Sequence, residues 1–206
     1  VRFARAAGSE ISIRGGGHNV GGLAVADGGV MIDLAEMKSA SVDPEARVIA
    51  AQGGMTWGEL NDAAAEHGLA VTGGAVSTTG IGGYTLGGGL GWLMGKHGLA
   101  ADNLIAVELV SADGEILDVS ADSHPDLFWA LRGGGGNFGV ATTFTYRLHP
   151  LSMVTGGLII HPVDAAHERK VREHRELEPA VARDRRMCGE PGRGRRGGVV
   201  DHGADR

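Results

Sequence analysis

His18 stands directly after three glycines in the run Arg14, Gly15, Gly16, Gly17, His18, Asn19, and two further glycine-rich segments occupy residues 80–91 (GIGGYTLGGGLG) and 133–139 (GGGGNFG). Consecutive glycines reach positive φ and let backbone N–H groups converge on an anion with no Cβ in the way. A phosphate-bearing cofactor is the ligand that suits them. Tight turns alone would account for one isolated run, but three runs in one short domain favour a phosphate site. The two common phosphate-loop motifs fail on context. A dinucleotide fingerprint leads from strand through glycines into a helix, whereas HNVGGLAVADGGVMIDL leads into another strand, and no GxxxxGK followed by Ser or Thr occurs. The 80–91 segment is expected to be too glycine-rich to continue as a regular helix.

The remaining reactive side chains carry less signal. His67 closes a helix, where a cation suits the dipole, and His97, His124 and His149 fall in turns. None forms an HExxH pair or another metal-ligand spacing, so no metal site is expected. Asp102 and Asn103 precede a strand and are read as turn-shaping residues. The single cysteine, Cys188, excludes an internal disulfide and any multi-cysteine metal site.

The elements that position the glycine runs follow from local pattern. ISIRG alternates like a strand, and GVMIDL is a second strand with no helix between them. SASVD and ARVIAAQ flank Asp43, Pro44 and Glu45, a turn sequence, and form a hairpin. Thr56 and Glu59 are spaced as a capping box opening TWGELNDAAAEHG; Trp57, Leu60 and Ala64 share one face, and Gly68 ends the helix. NLIAVELV and EILDVS form a second hairpin around Ser111, Ala112, Asp113 and Gly114. Ser123 and Pro125 start the helix DLFWALR, and VATTFTYRLHP is a long strand. Hairpins with single interposed helices indicate an α+β fold of packed layers.

Composition sets the outer limits. The chain has 206 residues, 42% hydrophobic, with 37 glycines, 4% aromatics and a formal charge of −6, as expected of a globular protein with a Val, Ile, Leu and Ala core. No stretch approaches the roughly 20 apolar residues of a membrane span, and a cytoplasmic location is expected. Charge divides unevenly: 8 Lys+Arg against 17 Asp+Glu up to Asp164, net −9, then 11 against 8, net +3. From about residue 172 the apolar period disappears and Arg, Gly and Pro are strung together, so a poorly ordered tail, or one translated in a shifted frame, is expected. Interspersed acids and the lack of stacking aromatics argue against a nucleic-acid-binding arm.

Three blocks, IRGGGHNVGG, TGGAVSTTGIGGYTLGGGLGWLMGKHGLAADNL and DLFWALRGGGGNFGVATTFTYRLHP, resemble in order and spacing the signature blocks of the FAD-binding domain shared by FAD-linked oxidases of the berberine-bridge-enzyme-like and 6-hydroxynicotine-oxidase-like type. The resemblance implies a two-lobed PCMH-type α+β domain over residues 1–150, its N-terminal part missing, with FAD extended between the lobes. Residues 151–206 would then hold a lost or degenerate start of the substrate domain, with MVTGGLIIHP its opening strand, and the tail.

Carried onto this chain, the resemblance implies that Arg14, Gly15, Gly16, Gly17, His18 and Asn19 hold the FAD pyrophosphate through their amides. His18 would bond to the flavin 8α-methyl carbon, which requires its imidazole to be neutral. Ser77, Thr78, Gly80, Gly83, Tyr84 and Gly88 would meet phosphates and ribose, and Val140 the adenine. Some members form a second flavin bond through a cysteine in a block resembling VCPTVG; this chain has AVSTTG, with Val76 at that place, so a single histidyl link is implied. The implied activity is oxidation of a small-molecule alcohol, sugar or amine by hydride transfer to flavin, the electrons returning to oxygen. No catalytic base is assigned. A non-catalytic flavin- or nucleotide-binding module and an interaction protein with structural glycines are the alternatives.

Overall fold

The computed structural model describes residues 1–153. The expectations for MVTGGLIIHP beyond its first residue, for the tail and for Cys188 lie outside the described residues. After a short helix α1 (Arg2–Ala6), strand β1 (Ile11–Arg14) pairs with β2 (Val30–Asp33), and these two form one small sheet. The pair is parallel, with Ile11 opposite Val30 and Arg14 opposite Asp33. Parallel neighbours need a crossover of a dozen or more residues, usually helical. Here residues 15–29 make it without a helix, in turns where Gly17, Gly22 and Gly28 adopt positive φ.

The second lobe is a five-stranded antiparallel sheet in the order β3 (Ala40–Asp43), β4 (Val48–Gln52), β8 (Val140–Arg147), β6 (Leu104–Val110), β7 (Ile116–Ser120). Both expected hairpins are present. In the first, Asp43 Oδ1 accepts the N–H groups of Glu45 and Ala46 at 3.0 and 2.8 Å; in the second, Gly114 turns at φ +76° and donates to the Ser111 carbonyl. Inward positions of β4, β6 and β8 bury Ile49, Ala51, Val107, Leu109, Phe144 and Tyr146. Helix α2 (Trp57–Ala65) adds Trp57, Leu60 and Ala64, its expected apolar face, to that core. The α+β, two-lobed expectation holds.

Four features depart from the expectations. Segment 80–91 does contain a helix, α3 (Ile81–Leu86), ending at Gly87. Its two glycines cost helix propensity of about 1 kcal/mol each, offset by tertiary packing: Ile81, Thr85 and Leu86 are buried, and a Cβ on Gly82 would already touch the Phe144 ring at 3.5 Å. A further turn, α4 (Met94–His97), follows it. Helix α5 (Pro125–Leu131) is entered from His124 in a left-handed conformation, with no side-chain cap, rather than from Ser123. Ser123 instead donates its N–H to Ser120 Oγ in the preceding turn. The strand expected over VATTFTYRLHP is split after Arg147: β9 (His149–Pro150) leaves the large sheet and pairs with β5 (Leu69–Ala70).

Candidate functional site

The three glycine runs converge around α3. At its N-terminal end Gly16 packs backbone against backbone on Gly80, and a Cβ on either residue would collide with the other's N and Cα atoms. At its C-terminal end the Leu86 carbonyl accepts the N–H of Gly135, 2.9 Å, from the third run. The Gly53 carbonyl lies 3.3 Å from where a Gly15 Cβ would stand, and the Gly53 N–H donates to the Thr142 carbonyl at 2.8 Å. Through Gly53 the loop of the small sheet is thus tied to the large one.

The two facing loops are held from behind. Trp57 and Gly58, at the start of α2, donate their N–H groups to the carbonyls of Thr79 and Ser77 at 2.9 and 2.8 Å. The capping box fixes that helix start: Glu59 Oε2 accepts the Thr56 N–H at 2.8 Å while Thr56 Oγ1 faces the Glu59 N–H. The Lys38 ammonium, 2.6 Å from Glu59 Oε1, and then the Thr56 N–H hold the Glu59 carboxyl below the usual carboxylate range. On the opposite loop Arg14 pairs with Asp33 at 2.8 Å, side by side in the parallel register. The Asp33 carboxyl is lowered first by the Ala35 N–H and also by the Arg14 guanidinium. Arg14 therefore braces the strand ends with its side chain.

Across the gap, His18 Nε2 and Thr78 Oγ1 lie 3.2 Å apart. Both side chains are exposed, as are Gly17 and Gly83. Among the described residues, the backbone N–H groups of Gly16, Gly17 and His18 find no acceptor, and those of Gly82 and Gly83 belong to the first turn of α3, which has no intrahelical partner. A Cβ on Gly83 would meet nothing within 4 Å, so open space lies over that turn. Unpaired amides on one loop facing the open space over Gly83 on the other are a cradle-like arrangement that suits phosphate oxygens, although Gly82 itself is buried. The residues present fit the pyrophosphate of a dinucleotide cofactor.

The other candidate residues divide between this cradle and its support. Asn19 Oδ1 accepts the Leu23 N–H at 3.1 Å and shapes the crossover. Ser77 is exposed beside Thr78. Tyr84 is half-buried with its ring edge-on to Trp57, centroids 5.5 Å apart, and burial raises its phenol above the ordinary value, leaving a neutral hydroxyl. Gly88, at φ +103°, is buried and its carbonyl accepts the Ala101 N–H. Val140 is buried at the head of β8 opposite Val110, two residues from the Thr142 carbonyl that Gly53 engages. Sequence reasoning missed the stacking of His97 on His149, centroids 3.8 Å apart, and the 2.7 Å bond from His149 Nε2 to Asn103 Oδ1. Asp102 and Asn103 shape the turn as expected, Asp102 accepting the Leu99 N–H and Asn103 donating to the carbonyls of His97 and Leu99. No group of three metal-ligating side chains occurs among the described residues, and no helix there is long and apolar enough to cross a membrane.

The chain resembles known proteins in both sequence and fold. The FAD binding domain family profile matches residues 1–120. The chain belongs to the FAD-binding domain family. Its domain is 47% identical over 136 residues to the FAD-linked oxidoreductase pgmH of Aspergillus terreus, covering 66% of this chain and 28% of that protein. It superposes on 6-hydroxy-D-nicotine oxidase from Arthrobacter nicotinovorans with a TM-score of 0.71 at 43% identity, covering 72% of this chain and 33% of the other. On a berberine bridge enzyme variant described as a reticuline dehydrogenase, the TM-score is 0.69 at 37% identity, covering 73% and 31%. This FAD-binding domain thus spans about a third of the length of the relatives it matches.

Proposed function

We propose that the chain is the FAD-binding part of an FAD-dependent oxidase, that it holds FAD covalently through His18, and that the whole protein oxidises an alcohol, sugar or amine carbon with oxygen as the final acceptor. The observation that supports the reading is the approach of His18 to Thr78 at 3.2 Å across two glycine loops, one of which leaves the amides of Gly16, Gly17 and His18 unpaired while open space lies over Gly83 on the other side. Bound FAD would supply the two-electron acceptor. The chain's own contribution is binding and orientation. Gly16 and Gly80 bring the loops together, the amides take the phosphates, and Tyr84 contributes contacts to the phosphates or ribose. Residues 1–150 constitute the FAD-binding unit in this reading, and residues 151–206 a remnant of the substrate domain followed by the tail. The chain covers about a third of the length of its relatives, and no residue of it is assigned as the acceptor of the substrate proton.

An absorption spectrum of the chain purified after incubation with FAD tests the binding claim. Flavin bands that persist through desalting are expected; a colourless protein that FAD cannot reconstitute contradicts it. Anaerobic bleaching by a panel of alcohols, sugars and amines, performed on the full-length protein, then tests the oxidase claim. Flavin bands that no member of the panel bleaches would favour the non-catalytic module.

A further inference from the structure

Two loops face each other across the cradle, and each is fixed independently of the side chains at its tip. The loop carrying His18 is set by the backbone contact of Gly16 with Gly80. The loop carrying Thr78 is set on both sides of that residue, because the Ser77 and Thr79 carbonyls accept the Gly58 and Trp57 N–H groups from α2. The 3.2 Å bond between Thr78 Oγ1 and His18 Nε2 therefore joins two groups whose backbones are already in place. Among the described residues, Thr78 is the hydrogen-bond partner of this ring. From this we infer that Thr78 is a positioning residue for flavin attachment: its hydroxyl holds the His18 imidazole by Nε2 and leaves Nδ1 as the nitrogen that bonds to the flavin. The inference rests on the proposed attachment at His18, and gives Thr78 a role beyond contact with phosphate or ribose.

The chemistry of the two groups fits the role. A neutral imidazole has one N–H donor and one nitrogen lone pair, and a hydroxyl both donates and accepts. With the proton on Nε2 donated to Thr78 Oγ1, the lone pair is on Nδ1. In the attachment step Nδ1 bonds to the 8α carbon, and one C–H bond at that carbon breaks. The C–H proton and the imidazole proton are released, the electron pair of the broken bond passes to dioxygen, and the two protons complete hydrogen peroxide. Once Nδ1 is alkylated and Nε2 has lost its proton, Nε2 becomes an acceptor, and the Thr78 hydroxyl can rotate to donate to it. The same bond is thus kept before and after the step, which neither an obligate donor nor an obligate acceptor would allow.

The test uses the whole chain at saturating FAD, following covalent incorporation by fluorescence of the denatured band and identifying the linked nitrogen by NMR of the isolated flavinyl-histidine. Wild type and Thr78→Ser should give the Nδ1 isomer at similar rates. Thr78→Val, of the same shape without the hydroxyl, should be about three- to tenfold slower, the range expected for losing one neutral hydrogen bond, and should yield some Nε2 isomer. An Nε2-linked flavin in the wild type, or Thr78→Val attaching at the wild-type rate with the same nitrogen, overturns the role of Thr78. Absence of flavin from His18 in the wild type overturns the attachment reading itself. Thr78 is exposed, and an unchanged urea midpoint for Thr78→Val separates a positioning effect from a folding one.

Discussion

Replacing Gly16 or Gly80 with alanine should open the cradle and destabilise the fold, although neither glycine has positive φ. The cause is the backbone contact: a Cβ on Gly16 falls on the N and Cα of Gly80, and the reverse substitution produces the same collision. Overpacking costs about 1–3 kcal/mol, and the upper half of that range applies because the obstructing atoms are main chain and cannot rotate away. At a urea m-value of about 2 kcal/mol/M, each variant should lower the unfolding midpoint by about 1 M. Once one Cβ has separated the loops, the second meets less resistance, so Gly16→Ala/Gly80→Ala should cost clearly less than the two singles together. Gly17→Ala is the control. Its penalty, about 1–2 kcal/mol, arises from φ +72° and should add to that of Gly80→Ala. Singles within about 0.5 kcal/mol of wild type, or a strictly additive Gly16/Gly80 cycle, would refute the argument.

Two further outcomes follow from the same structure. Burial lowers the affinity of His97 and His149 for protons, with further contributions from Lys96 to both and from the neighbouring imidazole, Arg147 and Arg47 to His149. Below the ordinary imidazole value of 6.5, the unfolded chain therefore binds protons first, and stability falls as pH drops from there toward the folded-state values. His97→Phe, which keeps a stacked ring and removes one titration, should flatten the fall in urea midpoint between pH 7.5 and 5.0; an unchanged slope counts against the stacked pair as its source. Gly83→Ala should stabilise the ligand-free fold by up to about 1 kcal/mol, since the methyl enters open space on a helical turn. The same methyl stands over the cradle, so FAD retained after desalting should decrease, and full retention would place the phosphates elsewhere.

Elements whose signal is local were legible in the chain: the α2 capping box, its buried Trp57, Leu60 and Ala64, and both hairpin turns are where short-range pattern puts them. What pattern could not supply was non-local. The β1–β2 pair is parallel because residues 15–29 cross over in glycine turns, and no period announces that. Helix α3 forms against propensity because Ile81, Thr85 and Leu86 are buried by distant strands. The glycine runs suggested phosphate chemistry, but the contact that makes Gly16 and Gly80 indispensable to each other joins residues more than sixty positions apart, and the Gly53 bridge to Thr142 of β8 spans more than eighty. Arg14 and Asp33 are opposite charges at the ends of adjacent strands, a pairing visible only once the register is known.

The location of the flavin in the chain tests the account most directly. The FAD-loaded protein is denatured, run on a gel, viewed under ultraviolet light, digested and mapped by mass spectrometry. Flavin fluorescence should remain in the protein band, and the modified peptide should be the one containing His18. In His18→Ala the band should go dark while noncovalent FAD still binds the native protein, because the amides of Gly16, Gly17, Gly82 and Gly83 are untouched. Flavin mapped to any other residue, or fluorescence retained by the His18→Ala band, would contradict the assignment of His18 as the attachment point.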